Sequence, residues 1–558
     1  MDNNSLLERS ISSARSLIGL QLVSRIFTFV LNQGLVRLAS PQAYGTVAVQ
    51  FELFINTILF LSREGVRNSL VRVWPQQGAA GNNSKKTLQF AQCSNLATVP
   101  AMLGIPVTLL SVMAYGYTAS EDVRSQPLFQ VALFIYAAAA VIELCSEPMH
   151  NRAMGEARTS VRVRAEGLGI SSKTAVTYLA LLLDTYLGEQ KFTLIAFALG
   201  QITYSSIIFV IYLLEMPDSR LLPVRLSLTS SRRSPGYRLI ADFFDLNAFR
   251  LSMTMTLQSV VKHFLTEGDK FLVSYWSPLR DQGGYAIAVN YGSLIARIVF
   301  QPIEEICRVY FSRVLSFPRG TPRGSGNDMS AARPALKQAS EALATLLSIQ
   351  VVFSVLVVTF GSLYLPIVMQ ILLPHRYLTT SAPQVLLAWM WYIPFLSVNG
   401  GLEAFHSSTA SPEDLREQSW WMFAYSGVYI LAATSFYKLG FGDASLVYAN
   451  IINLSARILF TTAFTFRYFT KHLNSPPFGV ADIFPDWRFL GAVAVSCTVA
   501  SVNESRQRIV ELSRGRTLFS VPVLLHILLG ASMGLLCVAV WWFTTGRRVV
   551  AKLKTKTA

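Results

Sequence analysis

The sequence predicts an all-α integral membrane protein of about fourteen transmembrane helices, arranged as two parallel six-helix lobes with two further helices at the C-terminal end. Three observations predict it: a composition too poor in charge for water, apolar runs of membrane length, and an internal repeat.

Of 558 residues, 52% are apolar and only 14% are charged, against roughly 25% charged in an ordinary soluble chain. A water-soluble protein of this length has too much surface to cover with so few charges. Aromatics at 12% and 23 prolines exclude a disordered or coiled-coil chain. The net charge of +16 reads as cationic loops on one membrane face, not as a nucleic-acid footprint. Cys93, Cys145, Cys307, Cys497 and Cys537 lie far apart, in or at the ends of apolar stretches. They form neither a disulfide framework nor a metal spacing and read as buried small hydrophobes. No metal or cofactor is called for. The first apolar stretch follows a polar segment, is long enough to span and carries Arg25 in its middle, so a retained N-terminus is expected.

A span needs about 20 mostly apolar residues. Candidates lie near 16–38, 42–62, 88–115, 127–149, 166–185, 192–214, 250–275, 284–305, 341–370, 383–402, 419–437, 443–466, 488–503 and 519–543. The run Leu346 to Leu373 reads as one tilted helix or a kinked one, given Pro366. The chain then divides into a first six-helix lobe (1–215), a cytosolic linker (216–245), a second six-helix lobe (246–468), two additional spans (485–545) and a basic cytosolic tail (546–558).

Lys and Arg gather in alternate connections. Arg63, Arg67, Arg72, Lys85 and Lys86 follow the second span, and Arg152, Arg158, Arg162 and Arg164 follow the fourth. Further clusters follow the sixth and eighth spans and fill the tail. The positive-inside rule puts these loops and both termini in the cytosol. Two loops disagree: Glu403–Glu417 is acidic where basic residues are expected, and Arg506, Arg508, Arg514 and Arg516 fall on the other side. Of the Asn-x-Ser sequons, Asn3 and Asn82 are expected in the cytosol, Asn453 inside a span and Asn503 too near the membrane to carry glycan.

The repeat sets LQLVSRIFTFVLNQGLVRLASP (Leu20 to Pro41) over LQSVVKHFLTEGDKFLVSYWSP (Leu257 to Pro278). Arg25 falls on Lys262, Phe27 on Phe264, Asn32 on Asp269 and Ser40-Pro41 on Ser277-Pro278. After a short insertion the match resumes through Ile55 over Ile295 and Glu64 over Glu304. A mid-span cation, an Asn/Asp match and a Ser-Pro are not cheap coincidences in a small apolar alphabet. The first span overlies the seventh, so each copy has an even number of helices and the same orientation. Parallel repeats about an axis along the membrane normal are a transporter architecture, with a cavity expected between the lobes.

Arg25 and Lys262 each sit near mid-membrane by the helical rise. An unpaired cation there costs roughly 2.5–3.5 kcal/mol on insertion scales, so both are expected to face protein or a wet cavity. The run Lys262, His263, Phe264, Leu265, Thr266, Glu267, Gly268, Asp269, Lys270 would be a poor lipid-facing helix and is expected to line the cavity, bent at Gly268. Lys262 with Glu267 or Asp269 is either an internal ion pair or a site for anionic substrate. His263 reads as a satisfied interior histidine or a proton carrier. Arg63 and Arg67 share one helical face, which suits a diphosphate or a membrane anchor paired with Glu64, Glu304 or Glu305. Arg297 lies inside the eighth span. Glu143 and Glu147 are expected to clamp the basic start of the fifth span through Arg162, Arg164 and Lys173.

The stretches LNQGLVRL, LFLSREGVR, CSEPMHNRAMGEARTSVRVRAEGL, KHFLTEGDKFLVS and NYGSLIARIVFQPIEE resemble the eukaryotic endoplasmic-reticulum family named for oligosaccharide-lipid translocation. That family lies within the superfamily of multidrug/toxin extruders, polysaccharide exporters and the bacterial lipid-linked peptidoglycan precursor flippase. The resemblance is strongest through the first eight spans and thin after about residue 410. It implies a role in N-glycosylation: moving dolichyl diphosphate bearing two GlcNAc and five mannose residues from the cytosolic to the luminal leaflet. On that reading Arg63, Arg67 and Arg297 receive the diphosphate, Arg25 and Lys262 hold it at mid-depth, and Asn32, His263, Glu267, Asp269, Lys270, Glu304 and Glu305 supply cavity polarity or ion coupling. The expected partners are the dolichyl-diphosphate oligosaccharide and membrane lipid, with no nucleic acid. No Gly-x-x-x-x-Gly-Lys-Ser/Thr loop occurs, so ATP is not the expected driver. A non-transporting membrane factor of the same pathway stays open as the alternative. A glycosyltransferase is disfavoured by short early luminal loops and the lack of Asp-x-Asp.

Overall fold

The computed structural model describes residues 30–75, 83–156, 158–188, 191–226, 243–315, 326–473, 478–507 and 520–547. Arg25, Asn3, Asn82, most of the 216–245 linker and nearly all of the tail lie outside them. The described residues are helical throughout, without a strand. The helices are α1 (30–38), α2 (Pro41–Val73), α3 (Leu88–Thr118), α4 (Phe129–Gly155), α5 (Thr159–Tyr186), α6 (Thr193–Glu215), α7 (Leu246–Thr266) and α8 (Gly268–Trp276). There follow α9 (Leu279–Val314), α10 (Arg333–Leu372), α11 (Ala382–Thr409), α12 (Pro412–Phe436), α13 (Ala444–Leu473), α14 (Trp487–Gln507) and α15 (Val521–Gly546).

Among the described residues nine helices, α2, α3, α4, α6, α9, α10, α11, α13 and α15, are long and apolar enough to cross a membrane. The protein is a multi-pass membrane protein. Helices α5, α12 and α14 run 28, 25 and 21 residues. The seventh span is split: α7 ends at Thr266, Glu267 caps it, and α8 begins at Gly268, the break expected where glycine weakens a helix. The ninth is one helix that continues through Pro366.

Packing resolves the described residues into two compact units, the first ending at Gly283 and the second beginning at Gly284. In the first, α7 runs along α2. Their backbones close at Gly65, where a Cβ would collide with the backbone of Thr256. Small residues permit such approaches where the bilayer supplies no hydrophobic drive between helices. Contact thus groups the seventh span with the N-terminal helices, although its sequence likeness is to the first span. Ser40-Pro41 and Ser277-Pro278, matched in the repeat, stand at like places: each follows one helix and opens the next. Just beyond them Gly45 and Gly283 meet, a Cβ on Gly45 running into the Leu279 carbonyl and one on Gly283 into the Pro41 carbonyl. The core of this unit gathers on Phe51, which lies 4.7 Å from the Tyr136 ring and 5.8 Å from the Phe129 ring. Ile58, Ala132, Ala140 and Leu144 fill in around it.

In the second unit, Phe311, Leu343, Phe405, Phe464 and Phe469 join α9, α10, α11 and α13, with Phe405 and Phe469 stacked at 5.1 Å. Helices α14 and α15 pack on α10 through Val352, Phe489, Val493 and Cys537. All five cysteines are free; Cys93 and Cys537 are buried and the others half-buried.

Candidate functional site

A polar stripe on α2 meets the split seventh span. Glu52, Asn56, Phe60 and Glu64 recur every fourth residue and so share one helical face. Lys270 Nζ donates to Glu267 Oε2 at 2.9 Å and lies 3.3 Å from Glu52 Oε1, while Asn56 Nδ2 donates to Glu267 Oε1 at 3.1 Å. The internal ion pair foreseen for Lys262 therefore forms at Lys270 instead. Lys262 stays mostly exposed, with Nζ 3.9 Å from Glu64. The helix break is the reason: it turns Glu267 toward Asn56 and Lys270. His263 is buried; its Nε2 lies 2.9 Å from Thr57 Oγ1, whose own hydrogen goes to the Leu53 carbonyl. Nε2 must then be the donor, and the Phe60 ring lies tilted against the imidazole at 4.9 Å. Asn32 and Asp269 are half-buried on α1 and α8.

Arg63 and Arg67, one turn apart on α2, both reach α4. Arg63 Nη1 donates to Glu143 Oε1 at 2.7 Å and to Glu147 Oε1 at 3.4 Å. Arg67 holds Glu147 with Nε at 2.8 Å and Nη2 at 2.5 Å. The Glu147 side chain is wholly buried, and a carboxylate so placed needs this pairing. Glu143 and Glu147 were expected to pair with Arg162, Arg164 and Lys173. Those residues bind Glu166, Glu215 and Gln201 instead, because the facing side of α4 is packed against α2. His150, next on the same α4 face, meets the Tyr212 hydroxyl at 2.8 Å through Nδ1.

In the second unit, Arg297 lies in a π-helical turn, Ala296–Phe300, and Nη2 donates to the carbonyl and side chain of Asn290. Glu304 accepts from Arg308 at 2.6 Å, and Glu305 is exposed. Gly400 leaves room for Glu304: a Cβ there would stand 3.6 Å from Oε2. Beside it Glu403 accepts from Arg457 Nη2 at 2.6 Å and from Asn399 Nδ2 at 2.9 Å. Neither Glu403 nor Arg457 was singled out. Glu403 had been placed in an acidic loop, whereas α11 continues to Thr409 and neutralises Glu403 against α13. Of the remaining acidic residues, Glu413 and Asp414 occupy the first turn of α12, where the helix dipole favours them, and Glu417 follows on the same helix. A signal did exist: Glu403, Ala404, Phe405, His406 repeats the spacing of Glu147, Pro148, Met149, His150.

Within each unit the arrangement consists of cationic side chains held by carboxylates on packed helices. Among the described residues no group of His, Cys, Asp and Glu could hold a metal ion.

The curated relatives are proteins named Man(5)GlcNAc(2)-PP-dolichol translocation protein RFT1. The one from Yarrowia lipolytica is 34% identical, covering 84% of this chain and 72% of its own. That from Schizosaccharomyces pombe is 33% identical over 83% and 84%, and that from Saccharomyces cerevisiae 28% over 88% and 90%. Among solved structures, the lipid II flippase MurJ in an inward closed conformation superposes with a TM-score of 0.57 at 14% identity, covering 94% of this chain and 98% of its own. An inward-facing multidrug resistance MATE family transporter of the MOP superfamily gives 0.51 at 11% identity, over 81% and 99%. The fold is that of MurJ and the MATE transporters. The model of the family described as Rft-1: Rft protein matches residues 9–554, and the chain belongs to that family.

Proposed function

We propose that this protein moves a five-mannose, two-GlcNAc dolichyl diphosphate from the cytosolic to the luminal leaflet of the endoplasmic reticulum, for protein N-glycosylation. The observation that carries the reading is the near full-length likeness, at 34% and 33% identity, to translocation proteins of that glycolipid, on a fold shared with a lipid II flippase. The chain is not an enzyme on this reading, and no ATP is consumed. Movement is drawn by luminal use of the glycolipid or coupled to an ion.

The full topology is fourteen spans, with both termini in the cytosol and two parallel six-helix lobes. Every candidate span outside the undescribed segments coincides with a described helix, which supports the count. A diphosphate is costly to desolvate, and the mid-depth cations Arg25 and Lys262 offset that cost. Among the described residues Lys262 has one carboxylate neighbour, Glu64 at 3.9 Å, and keeps donors for a phosphate oxygen. Arg63 and Arg67 are committed to Glu143 and Glu147, and so act by holding α2 to α4 as much as by meeting substrate. Asn32, His263, Glu267, Asp269 and Lys270 supply polar groups within the first unit, and Arg297, Glu304 and Glu305 within the second.

The test is translocation of the authentic glycolipid by purified protein in sealed vesicles, with Lys262→Glu beside wild type. We expect transport by wild type and its loss in the variant, with folding unchanged. A wild-type protein inactive under every ion gradient would replace this reading with the accessory role.

A further inference from the structure

The fourth and tenth spans carry one motif in one register. Glu143, Glu147 and His150 on α4 are matched by Asn399, Glu403 and His406 on α11. On the sixth and twelfth spans, Ser205 and Tyr212 of α6 are matched at equal spacing by Arg457 and Phe464 of α13. The duplication read from the first two spans therefore extends through these, and the two copies of the carboxylate differ in one informative way.

In the first unit Glu147 is locked. It is wholly buried, both its oxygens are held by Arg67, and Arg63 adds a third contact. In the second unit the repeat places Ile303 and Cys307 where Arg63 and Arg67 stand. The cation comes from α13 instead, at the position of Ser205. It is held loosely: Arg457 gives only Nη2 to Glu403, and its Nε and Nη1 have no protein partner among the described residues. The two side chains are 23% and 27% exposed. One turn away His406 is fully buried between Phe460 and Phe464, with neither ring nitrogen bonded. Phe464 lacks the hydroxyl that Tyr212 offers His150. The second copy has kept the carboxylate with fewer charged contacts: Glu403 accepts through Oε2 from one nitrogen of Arg457 and from the Asn399 amide.

We propose that Glu403 is the displaceable counter-ion of an anion site built on Arg457. A phosphate oxygen takes the guanidinium from Glu403, with Arg308 nearby on Glu304, and Glu403 recaptures Arg457 as the anion leaves. Arg457 keeps Nε and Nη1 for phosphate oxygens, and release of Nη2 from Glu403 completes an edge for two-point phosphate binding. A competing carboxylate keeps that binding weak enough to reverse. The translocation reading enters only in naming the anion as a diphosphate.

The test uses the full chain in lipid nanodiscs and inorganic pyrophosphate as probe. We expect Arg457→Gln to abolish binding. Glu403→Gln removes the competitor and should bind pyrophosphate at least about fivefold more tightly, while glycolipid translocation in vesicles slows because release is impaired. Glu403→Asp, which keeps the charge at shorter reach, should fall between and covers the case in which the glutamine variant does not fold. A structural clamp gives the opposite sign: Glu403→Gln with unchanged or weaker pyrophosphate binding overturns the proposal, as does a wild-type chain that binds none. Tightening in Glu403→Gln without glycolipid movement by wild type would uphold the anion site and sink the translocation reading alone.

Discussion

Arg67 grips Glu147 with two parallel hydrogen bonds, Nε to Oε2 at 2.8 Å and Nη2 to Oε1 at 2.5 Å, and so ties α2 to α4 through a carboxylate with no exposed surface. Fork-on-fork geometry of this kind fixes orientation as well as distance. Arg63 shares the same carboxylate and adds Glu143, giving the first unit a charge-dense joint inside its apolar helices.

Removing one partner of such a joint strands the other. Glu147→Gln is expected to lower stability by about 3 kcal/mol, read as a fall in the midpoint of detergent thermal unfolding. Replacing Arg67 and Glu147 together by methionine should recover much of that loss, since the apolar pair strands no charge and Arg63 keeps Glu143. Equal losses in the single and double variants would show that a stranded charge is not the cause.

The crossing of Gly45 and Gly283 leaves no room for a side chain, because the atoms that a Cβ would meet are backbone carbonyls. Gly283→Ala should cost about 1–3 kcal/mol through forced backbone shifts. Gly116, in α3 with nothing within 4 Å of a Cβ, is the control: Gly116→Ala should be neutral or stabilising by up to about 1 kcal/mol. Thermal unfolding of the two variants in parallel decides the matter.

The paired histidines predict effects of opposite sign. Tyr212→Phe removes the hydroxyl that meets His150 at 2.8 Å and should destabilise by about 1–3 kcal/mol, the cost of a buried polar group left alone. Phe464→Tyr offers His406 the partner that its copy has and should raise the unfolding midpoint.

Outside the spans, Ser411 and Asp414 form a capping box at the start of α12, each side chain meeting the other's backbone N–H. The Ser411 hydroxyl bond, aided by its backbone N–H, holds the Asp414 carboxyl below its usual range. A depressed carboxylate contributes stability above its unfolded pKa, near 4, and loses it as the pH falls through the folded value. Ser411→Ala should cost about 1 kcal/mol at neutral pH, and the gap from wild type should shrink below about pH 4. A gap that stays constant on acidification would show that Asp414 does not take part.

Helices could be read from the chain because a bilayer demands long apolar runs with every backbone group bonded internally. The break at Gly268 and the Ser-Pro starts of α2 and α9 follow from local backbone chemistry. Partner choice did not follow. Glu143 and Glu147 were assigned to Arg162, Arg164 and Lys173, nearer along the chain, because nothing in a linear sequence states which face of α4 meets α2. Glu403 was misplaced for a related reason: an acidic residue at the edge of an apolar run looks like loop until Arg457, far along the chain, is brought beside it.

By itself the sequence determined that this is a membrane protein, and which ionisable groups lie inside its helices. Desolvation makes those features local, since each span and each buried charge carries its cost wherever it packs. Only the tertiary structure decided which cation meets which carboxylate, how tightly, and which donors remain unused. Those outcomes depend on helix crossing and rotation, where a change of one residue in register carries a side chain about a quarter-turn around the helix.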